Sequence, residues 1–203
     1  MPLTSEQLLK ESQERRSYRK FLPEAVDMDV IRNCIMTANT APNGANLRPW
    51  HYSIIVNPEM KQKIRDAAEE VEREFYAHKI SDRWRNDLEV LKVNTEKPFL
   101  TEAPCLIAIF KENYRYDENG KKLPNYYVTE SVGISIGFLI NALRNAGYSS
   151  LTYTPAPMHF LREILGRGEN ETPVMILVVG KKDPSYELPP IHRKTFDEIA
   201  EII

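Results

Sequence analysis

Apolar residues recur every three or four positions in several stretches of the chain, which is the spacing of one face of an α-helix. A capping box of Thr4 and Gln7 predicts a first helix that runs to about Glu14. Asp27 predicts the start of a second helix, because its carboxylate can accept hydrogen bonds from the first free backbone N–H groups. The apolar face of that second helix is formed by Ile31, Cys34, Ile35 and Ala38.

Longer helical patterns follow in the middle of the chain. Pro58 occupies the first helical position of a stretch that keeps its apolar period to about His78. A further helix is predicted from Ser81. The segment from Tyr126 to Asn145 is apolar on nearly all sides and predicts a long, well-buried helix, and a short helix is predicted over His159–Leu165.

Four short stretches alternate or are continuously apolar, and such patterns predict strands of a mostly buried sheet. They are His51–Val56, Ala103–Phe110, Ser149–Thr154 and Val174–Val179. The segment from Glu112 to Pro124 is polar and contains an Asn119-Gly120 turn, so it is predicted to be a loop. Helices and strands are interleaved without strict βαβ order, which favours an α+β arrangement over a doubly wound one.

Composition narrows the class of protein. The chain has 203 residues, enough for one domain with a substantial core. It carries 27 Lys and Arg against 29 Asp and Glu, a net charge of -2 that argues against a general nucleic-acid or anionic-membrane binder. Two cysteines exclude a disulfide scaffold, and the scattered histidines give no metal-ligand spacing. The polar start and the absence of an apolar span in the sequence predict a cytoplasmic protein.

The segment Arg15-Arg16-Ser17-Tyr18-Arg19 concentrates three guanidinium groups in one short connection. Arginine presents a planar fork of donors that matches phosphate oxygens, so the segment is a candidate phosphate site. On spacing alone, a solvated basic turn is the plainer alternative.

Two further segments have the side chains expected around a flat ligand. Pro42-Asn43-Gly44-Ala45 has small side chains, which would let backbone N–H groups approach a ligand closely. Thr152-Tyr153-Thr154 places hydroxyl groups at the end of a predicted strand, where active-site residues often lie. An ordinary helix-to-strand loop and a plain threonine-rich strand are the respective alternatives.

A carboxylate, a phenol and an ammonium group form the last candidate. Glu72 and Tyr76 are four residues apart, so their Cβ atoms share one helix face at roughly 5–6 Å. Lys97 follows in a segment with little periodicity. Together these groups could bind both ends of an amino-acid zwitterion, although three solvated surface side chains would give the same pattern.

Taken together, these segments resemble a known family. Arg15-Arg16-Ser17-x-Arg19, followed by Ala41-Pro42-Asn43-Gly44-Ala45-Asn46-x-x-Pro49-Trp50, resembles the opening of the nitroreductase-like superfamily of FMN flavoproteins. The trio Glu72, Tyr76 and Lys97 is similar to that of its iodotyrosine deiodinase branch. The resemblance implies a nitroreductase-like α+β fold, with a central mixed β-sheet flanked by helices, that forms an intertwined homodimer. It also implies one domain over residues 1–203, with a lid at 69–100 and a C-terminal extension at 189–203 over the partner subunit.

The resemblance implies a role for each candidate residue. The FMN cofactor would be bound by Arg15, Arg16, Ser17, Arg19, Pro42, Asn43, Gly44, Thr152, Tyr153, Thr154 and Arg193. The halotyrosine substrate would be bound at its zwitterion by Glu72, Tyr76 and Lys97, and at its phenolate by the backbone N–H of Ala45. Thr154, near flavin N5, and Ala45, at the substrate phenolate, would be the catalytic groups.

The implied activity is reductive dehalogenation, which converts mono- and diiodotyrosine to tyrosine and halide. Electrons would come from reduced FMN in one-electron steps, with NAD(P)H or an unknown reductase as their source. The expected active sites lie at the homodimer interface, with no metal, nucleic-acid or membrane partner. A general NAD(P)H-dependent nitro or quinone reductase on the same scaffold is the alternative, and a non-catalytic flavin or halotyrosine-binding protein is a third.

Overall fold

The computed structural model describes residues 3–78 and 94–203. The helix predicted from Ser81, and the part of the predicted lid that covers 79–93, lie outside the described residues. The helices of the described part are α1 (Ser5–Gln13), α2 (Met28–Ala38), α3 (Pro58–His78), α4 (Phe99–Glu102), α5 (Val128–Asn145) and α6 (Phe160–Ile164). Its strands are β1 (Trp50–Ile55), β2 (Cys105–Glu112), β3 (Tyr114–Tyr116), β4 (Lys122–Pro124), β5 (Ser149–Tyr153) and β6 (Glu171–Gly180).

The side chains predicted to start the first two helices do so. The Thr4 hydroxyl accepts a hydrogen bond from the Gln7 backbone N–H at 3.2 Å, and the Gln7 side chain accepts one from the Thr4 N–H at 2.9 Å. The Asp27 carboxylate accepts hydrogen bonds from two backbone N–H groups in the first turn of α2. Both predicted helix starts are therefore confirmed. Each cap accepts hydrogen bonds from backbone N–H groups that have no partner within the helix.

The central sheet has the order β1-β2-β6-β5, and each neighbouring pair of strands is antiparallel. Within the described part of the chain, the parallel component expected of a mixed sheet is reduced to one bridge between Ser17 and Ser150. The four strands therefore form an antiparallel sheet, and the predicted mixed sheet is corrected in this respect. Short parallel contacts of this kind come from an extended segment lying along a sheet edge rather than from a βαβ crossover.

Both faces of the sheet are covered, which explains the continuous apolar run in β2. Ile107 and Ile109 face the cluster that contains α2 and α5, while Leu106, Ala108 and Phe110 face the cluster that contains α3 and α6. Successive side chains of a strand point to opposite faces, so a strand buried on both sides has no polar positions. Helix α3 therefore lies on the face of the sheet to which the Leu151 and Tyr153 side chains of β5 point. The candidate site forms between α3 and the end of β5.

Two local predictions differ from the structure. The segment predicted as a polar loop contains the β3–β4 hairpin, in which the Tyr114 and Tyr116 rings meet edge to face, with centroids 5.5 Å apart. The Lys122 ammonium lies 4.5 Å from the centroid of the Tyr114 ring, so aromatic and cation–π contacts replace the apolar pattern that usually marks a strand. Helix α5 begins at Val128 rather than Tyr126, because Tyr127 has a left-handed backbone with φ of 48°.

The C-terminal segment is hydrogen-bonded to the arginine segment and to the residues just before it. The Arg16 guanidinium donates a hydrogen bond to the Pro189 carbonyl, and Arg193 donates one to the Gln13 carbonyl at 2.8 Å. Beyond these contacts, residues 191–203 are exposed along their length. Among the described helices, none combines the length and the apolar character needed to cross a membrane.

Candidate active site

A cavity of about 610 Å³ lies between the second half of α3, residues 94–99, the end of β5 and residues 186–190. Side chains from these four parts of the sequence meet there, together with Arg19. The sequence-predicted residues that line it are Arg19, Glu72, Tyr76, Lys97, Thr152, Tyr153 and Thr154. The cavity therefore brings together the proposed zwitterion-binding residues, the threonine-rich strand end and one residue of the arginine segment.

Glu72 and Lys97 form an ion pair inside this cavity. The Lys97 Nζ atom lies 3.3 Å from Glu72 Oε2, and the two side chains are only 6% and 14% exposed, respectively. Burial lowers the pKa of Lys97, and the Glu72 carboxylate opposes that shift. Two opposite charges held this far out of water are not solvated surface side chains, so that alternative is excluded for Glu72 and Lys97.

Aromatic side chains surround the ion pair. The Tyr153 hydroxyl donates a hydrogen bond to Glu72 Oε1 at 3.0 Å, and Tyr153 itself is buried in the core. The Lys97 Nζ atom lies 5.9 Å from the ring centroids of both Tyr76 and Tyr153. The pair thus sits among aromatic faces that exclude water and favour a cation.

The backbone at Lys97 is hydrogen-bonded to α3 through residues that the sequence did not indicate. Glu69 Oε1 accepts hydrogen bonds from the Lys97 backbone N–H and from Arg65 Nε, both at 2.7 Å. Arg65 also donates to the Thr101 hydroxyl at 3.0 Å. Burial acts to raise the pKa of Glu69, but these hydrogen bonds and the charge of Arg65 together hold it below its usual range. The four-residue spacing of Arg65 and Glu69 is visible in the sequence, whereas their contact with Lys97 is not.

The arginine segment lies along the edge of β5. Arg15 and Arg16 line a second hollow of about 250 Å³ with Ser149, Ser150 and Lys182, whereas Arg19 lines the main cavity. Arg193 donates hydrogen bonds to the Gln13 carbonyl at 2.8 Å and, more weakly, to the Arg15 carbonyl at 3.3 Å. The segment therefore runs from a basic hollow to the cavity that holds Glu72 and Lys97, and the C-terminal segment adds a fourth guanidinium beside it.

The small-residue loop lies elsewhere. Gly44 packs on the chain just before α5, where an added Cβ would stand 2.7 Å from the Tyr126 carbonyl oxygen. Its N–H is 3.4 Å from the Ser131 hydroxyl oxygen, to which it donates. Among the described residues, the cavity lining does not include Pro42, Asn43, Gly44 or Ala45. The fold of one chain thus separates this loop from Glu72 and Lys97.

The loop has an unusual backbone. Ala45, Asn46 and Arg48 all have positive φ values, of 51°, 56° and 49°. Asn43 stabilises this turn, since its Oδ1 atom accepts a hydrogen bond from the Arg48 N–H at 2.8 Å. Residues held in this region cost free energy and persist where the surroundings determine the backbone, which is common at binding sites. The loop presents Ala45 to solvent.

We expect Gly44→Ala to lower the melting temperature by about 3–10 °C. The added methyl group would overlap the Tyr126 carbonyl and force the loop to move, and overpacking of this kind costs about 1–3 kcal/mol. Thermal unfolding followed by circular dichroism measures the change. Ala45→Gly is the matched control, because glycine relieves the positive φ and should leave the melting temperature unchanged or higher. Equal destabilisation by both variants would contradict this account of the loop.

The comparison with protein families agrees with the fold. Residues 13–181 match the Nitroreductase family, which covers most of the chain. The chain therefore belongs to the nitroreductase family. This result shows the class of protein, and relatives of known name narrow it further.

The chain is similar to iodotyrosine deiodinases within that family. It is 44% identical over 180 residues to the iodotyrosine deiodinase of Haliscomenobacter hydrossis, covering 89% of this chain and 81% of the relative. It is 41% identical to human iodotyrosine deiodinase 1, covering 95% of this chain and 70% of the relative. A crystal structure of oxidized iodotyrosine deiodinase bound to FMN and 3-iodo-L-tyrosine superposes with a TM-score of 0.82 at 28% identity, covering 93% of this chain and 96% of that one.

Proposed function

We propose that the protein is an FMN-dependent oxidoreductase that removes iodide reductively from iodotyrosine. The observation that carries the proposal is the buried Glu72–Lys97 pair, which sits in a cavity that the arginine segment connects to a basic hollow. An ion pair of this kind suits an amino-acid zwitterion, and the hollow suits a phosphate group. The names of the similar proteins support the same activity.

The residues along β5 fit FMN. Guanidinium groups, two serine hydroxyls and Lys182 line the smaller hollow, and these are donors that a phosphate dianion requires. The carboxylates of Glu11 and Glu14 also line it, but both pair with Arg144, so Arg15, Arg16 and Lys182 leave the lining positive. The main cavity, where Arg19, Thr152 and Thr154 lie, has room for a flat ring system. We assign Arg15, Arg16, Ser17 and Arg193 to the phosphate end, and Arg19, Thr152 and Thr154 to the ring. When bound, FMN supplies the electrons, which we propose leave in one-electron steps and are replaced by NAD(P)H or a separate reductase.

The two residues of the ion pair would bind the amino-acid end of the substrate. Glu72 would accept hydrogen bonds from the substrate ammonium, and Lys97 would donate to the substrate carboxylate, with Tyr76 beside both. Replacing the carbon–iodine bond by a carbon–hydrogen bond takes up two electrons and one proton and releases iodide. No nucleophilic side chain is required, so the contribution of these residues is to position the ring and exclude water.

A second copy of the chain would complete the site. Ile134 and Phe138 of α5 are exposed beside two glycines whose Cβ positions are open, and Ile199 and Ile202 of the C-terminal segment are exposed as well. We propose that these surfaces meet in an intertwined homodimer, in which residues 189–203 of each chain extend over the other. The loop of Pro42, Asn43, Gly44 and Ala45 would then line the cavity of the opposite subunit, with the Ala45 backbone N–H directed at the substrate phenolate.

Product analysis under turnover tests the activity. With a chemical reductant in excess, we expect the FMN-loaded protein to convert 3-iodo-L-tyrosine to equal amounts of tyrosine and iodide. The same protein is assayed in parallel with NAD(P)H and a nitroaromatic compound. Efficient nitroaromatic reduction without release of iodide would contradict the proposal and favour a general nitro or quinone reductase.

A further inference from the structure

Among the described residues, the Glu72 carboxylate has two partners of different kinds, a hydroxyl on the sheet and an ammonium on a long side chain. Its Oε2 atom faces the Lys97 ammonium at 3.3 Å, whereas its Oε1 atom accepts the Tyr153 hydroxyl hydrogen bond at 3.0 Å. A carboxylate that is 14% exposed needs such partners, because an unpaired buried charge is strongly destabilising. The two oxygens are thus assigned to two separate neighbours.

Tyr153 is a rigid partner. It lies on β5, an edge strand of the central sheet, and its ring packs edge to face on Phe99 with centroids 5.4 Å apart. Burial and the nearby Glu72 carboxylate both raise the pKa of Tyr153, so its hydroxyl keeps its proton and remains a donor. The position of Glu72 Oε1 is therefore set by the sheet.

Lys97 can change its partner without moving its backbone. Its N–H is tied to Glu69 at 2.7 Å, which fastens the main chain to α3 independently of the ammonium group. The ammonium also donates to the Asn94 carbonyl. It has three N–H donors and ends a long side chain with several rotatable bonds, so it can turn from Glu72 to a carboxylate that enters the cavity. Glu72 Oε2 would then be open to a substrate ammonium.

We propose that Tyr153 is a positioning residue for substrate binding, which holds the Glu72 carboxylate in place while a zwitterion separates Glu72 from Lys97. This inference rests on the proposed function, because it assumes that Glu72 and Lys97 bind the amino-acid end of iodotyrosine. It reassigns Tyr153 from the flavin-binding residues, where the resemblance had placed it, to the substrate-binding site. One ion pair is exchanged for two, and the Tyr153 hydrogen bond is kept throughout.

Tyr153→Phe tests the proposal, because it removes the hydroxyl and keeps the ring on Phe99. We expect the FMN-loaded variant to bind 3-iodo-L-tyrosine more weakly by a factor of about 10–150, as one hydrogen bond to a charged group would predict. Its affinity for 2-iodophenol, which has no zwitterion, should change less than twofold. Quenching of flavin fluorescence measures both. Tyr52→Phe is the matched control, since it loses a hydroxyl contact with Ser135 in the core and should bind both ligands normally.

A double-mutant cycle with Glu72→Gln separates positioning from a general effect on the cavity. If Tyr153 acts through Glu72, Tyr153→Phe should cost far less affinity in the Glu72→Gln background than in the unchanged protein. Three results for Tyr153→Phe would each overturn the inference. They are an equal loss of affinity for iodotyrosine and 2-iodophenol, an unchanged affinity for iodotyrosine, and loss of FMN. Failure of the unchanged protein to bind iodotyrosine would instead overturn the proposed function itself.

Discussion

Replacing Lys97 with alanine is expected to weaken the binding of 3-iodo-L-tyrosine by a factor of about 100. Truncating one member of a buried charge pair costs roughly 2–5 kcal/mol, and every 1.4 kcal/mol is a tenfold change in affinity. Lys97→Ala removes the proposed donor to the substrate carboxylate. Among the described residues, it leaves the Tyr153 hydroxyl as the partner of the Glu72 carboxylate. Glu72→Ala should weaken binding comparably, because it removes the acceptor for the substrate ammonium. Titration of the FMN-loaded variants measures the loss.

FMN content is the internal control for these two variants. Neither side chain belongs to the basic hollow, so both proteins should purify with the FMN content of the unchanged protein. Lys63→Ala is a matched control, since Lys63 is an exposed lysine on α3 outside the cavity lining. Unchanged affinity for iodotyrosine in both Lys97→Ala and Glu72→Ala would contradict the assignment of this pair to the substrate.

Arg16→Ala is expected to weaken FMN binding by a factor of about 10–150. A hydrogen bond to a charged group contributes about 1.5–3 kcal/mol, and Arg16 also anchors the C-terminal segment through the Pro189 carbonyl. Arg16→Lys should recover only part of the loss, because lysine keeps the charge but not the planar fork. Equilibrium dialysis of the apoprotein against FMN gives the dissociation constants.

A matched control distinguishes loss of a guanidinium in the hollow from loss of any positive charge. Arg32→Ala removes an exposed guanidinium that pairs with Asp29 on α2, away from the hollow, and should leave FMN affinity unchanged. If Arg16→Ala and Arg32→Ala had the same FMN affinity, the arginine segment would be a solvated basic turn and the phosphate assignment would be wrong.

Local patterns in the sequence predicted the elements that local interactions determine. The caps at Thr4 and Asp27 need only backbone groups within three residues, and the structure confirms both. The apolar run that predicted β2 reflects burial on both faces of the sheet. The β3–β4 hairpin was missed because its stabilising contacts are aromatic and cationic, on strands of only three residues each.

The candidate site could be predicted only in part. Residue types and the family resemblance indicated Glu72 and Lys97, but the hydrogen bond between Tyr153 and Glu72 joins positions 81 residues apart and has no local signal. The division of the arginine segment, with Arg16 in the hollow and Arg19 in the cavity, depends on its path along β5. The separation of Ala45 from Lys97 likewise follows from the tertiary fold, and it is the reason that a second subunit enters the proposal.

A single anaerobic turnover tests the central claim most directly. The FMN-loaded protein is fully reduced, the excess reductant is removed, and 3-iodo-L-tyrosine is added without oxygen while flavin absorbance, iodide and tyrosine are measured. Because the reaction takes up two electrons, we predict one iodide and one tyrosine for each FMN that is oxidised. Binding of iodotyrosine with the flavin still reduced and no iodide released would contradict the account, and would identify the protein as a binding protein rather than a deiodinating enzyme.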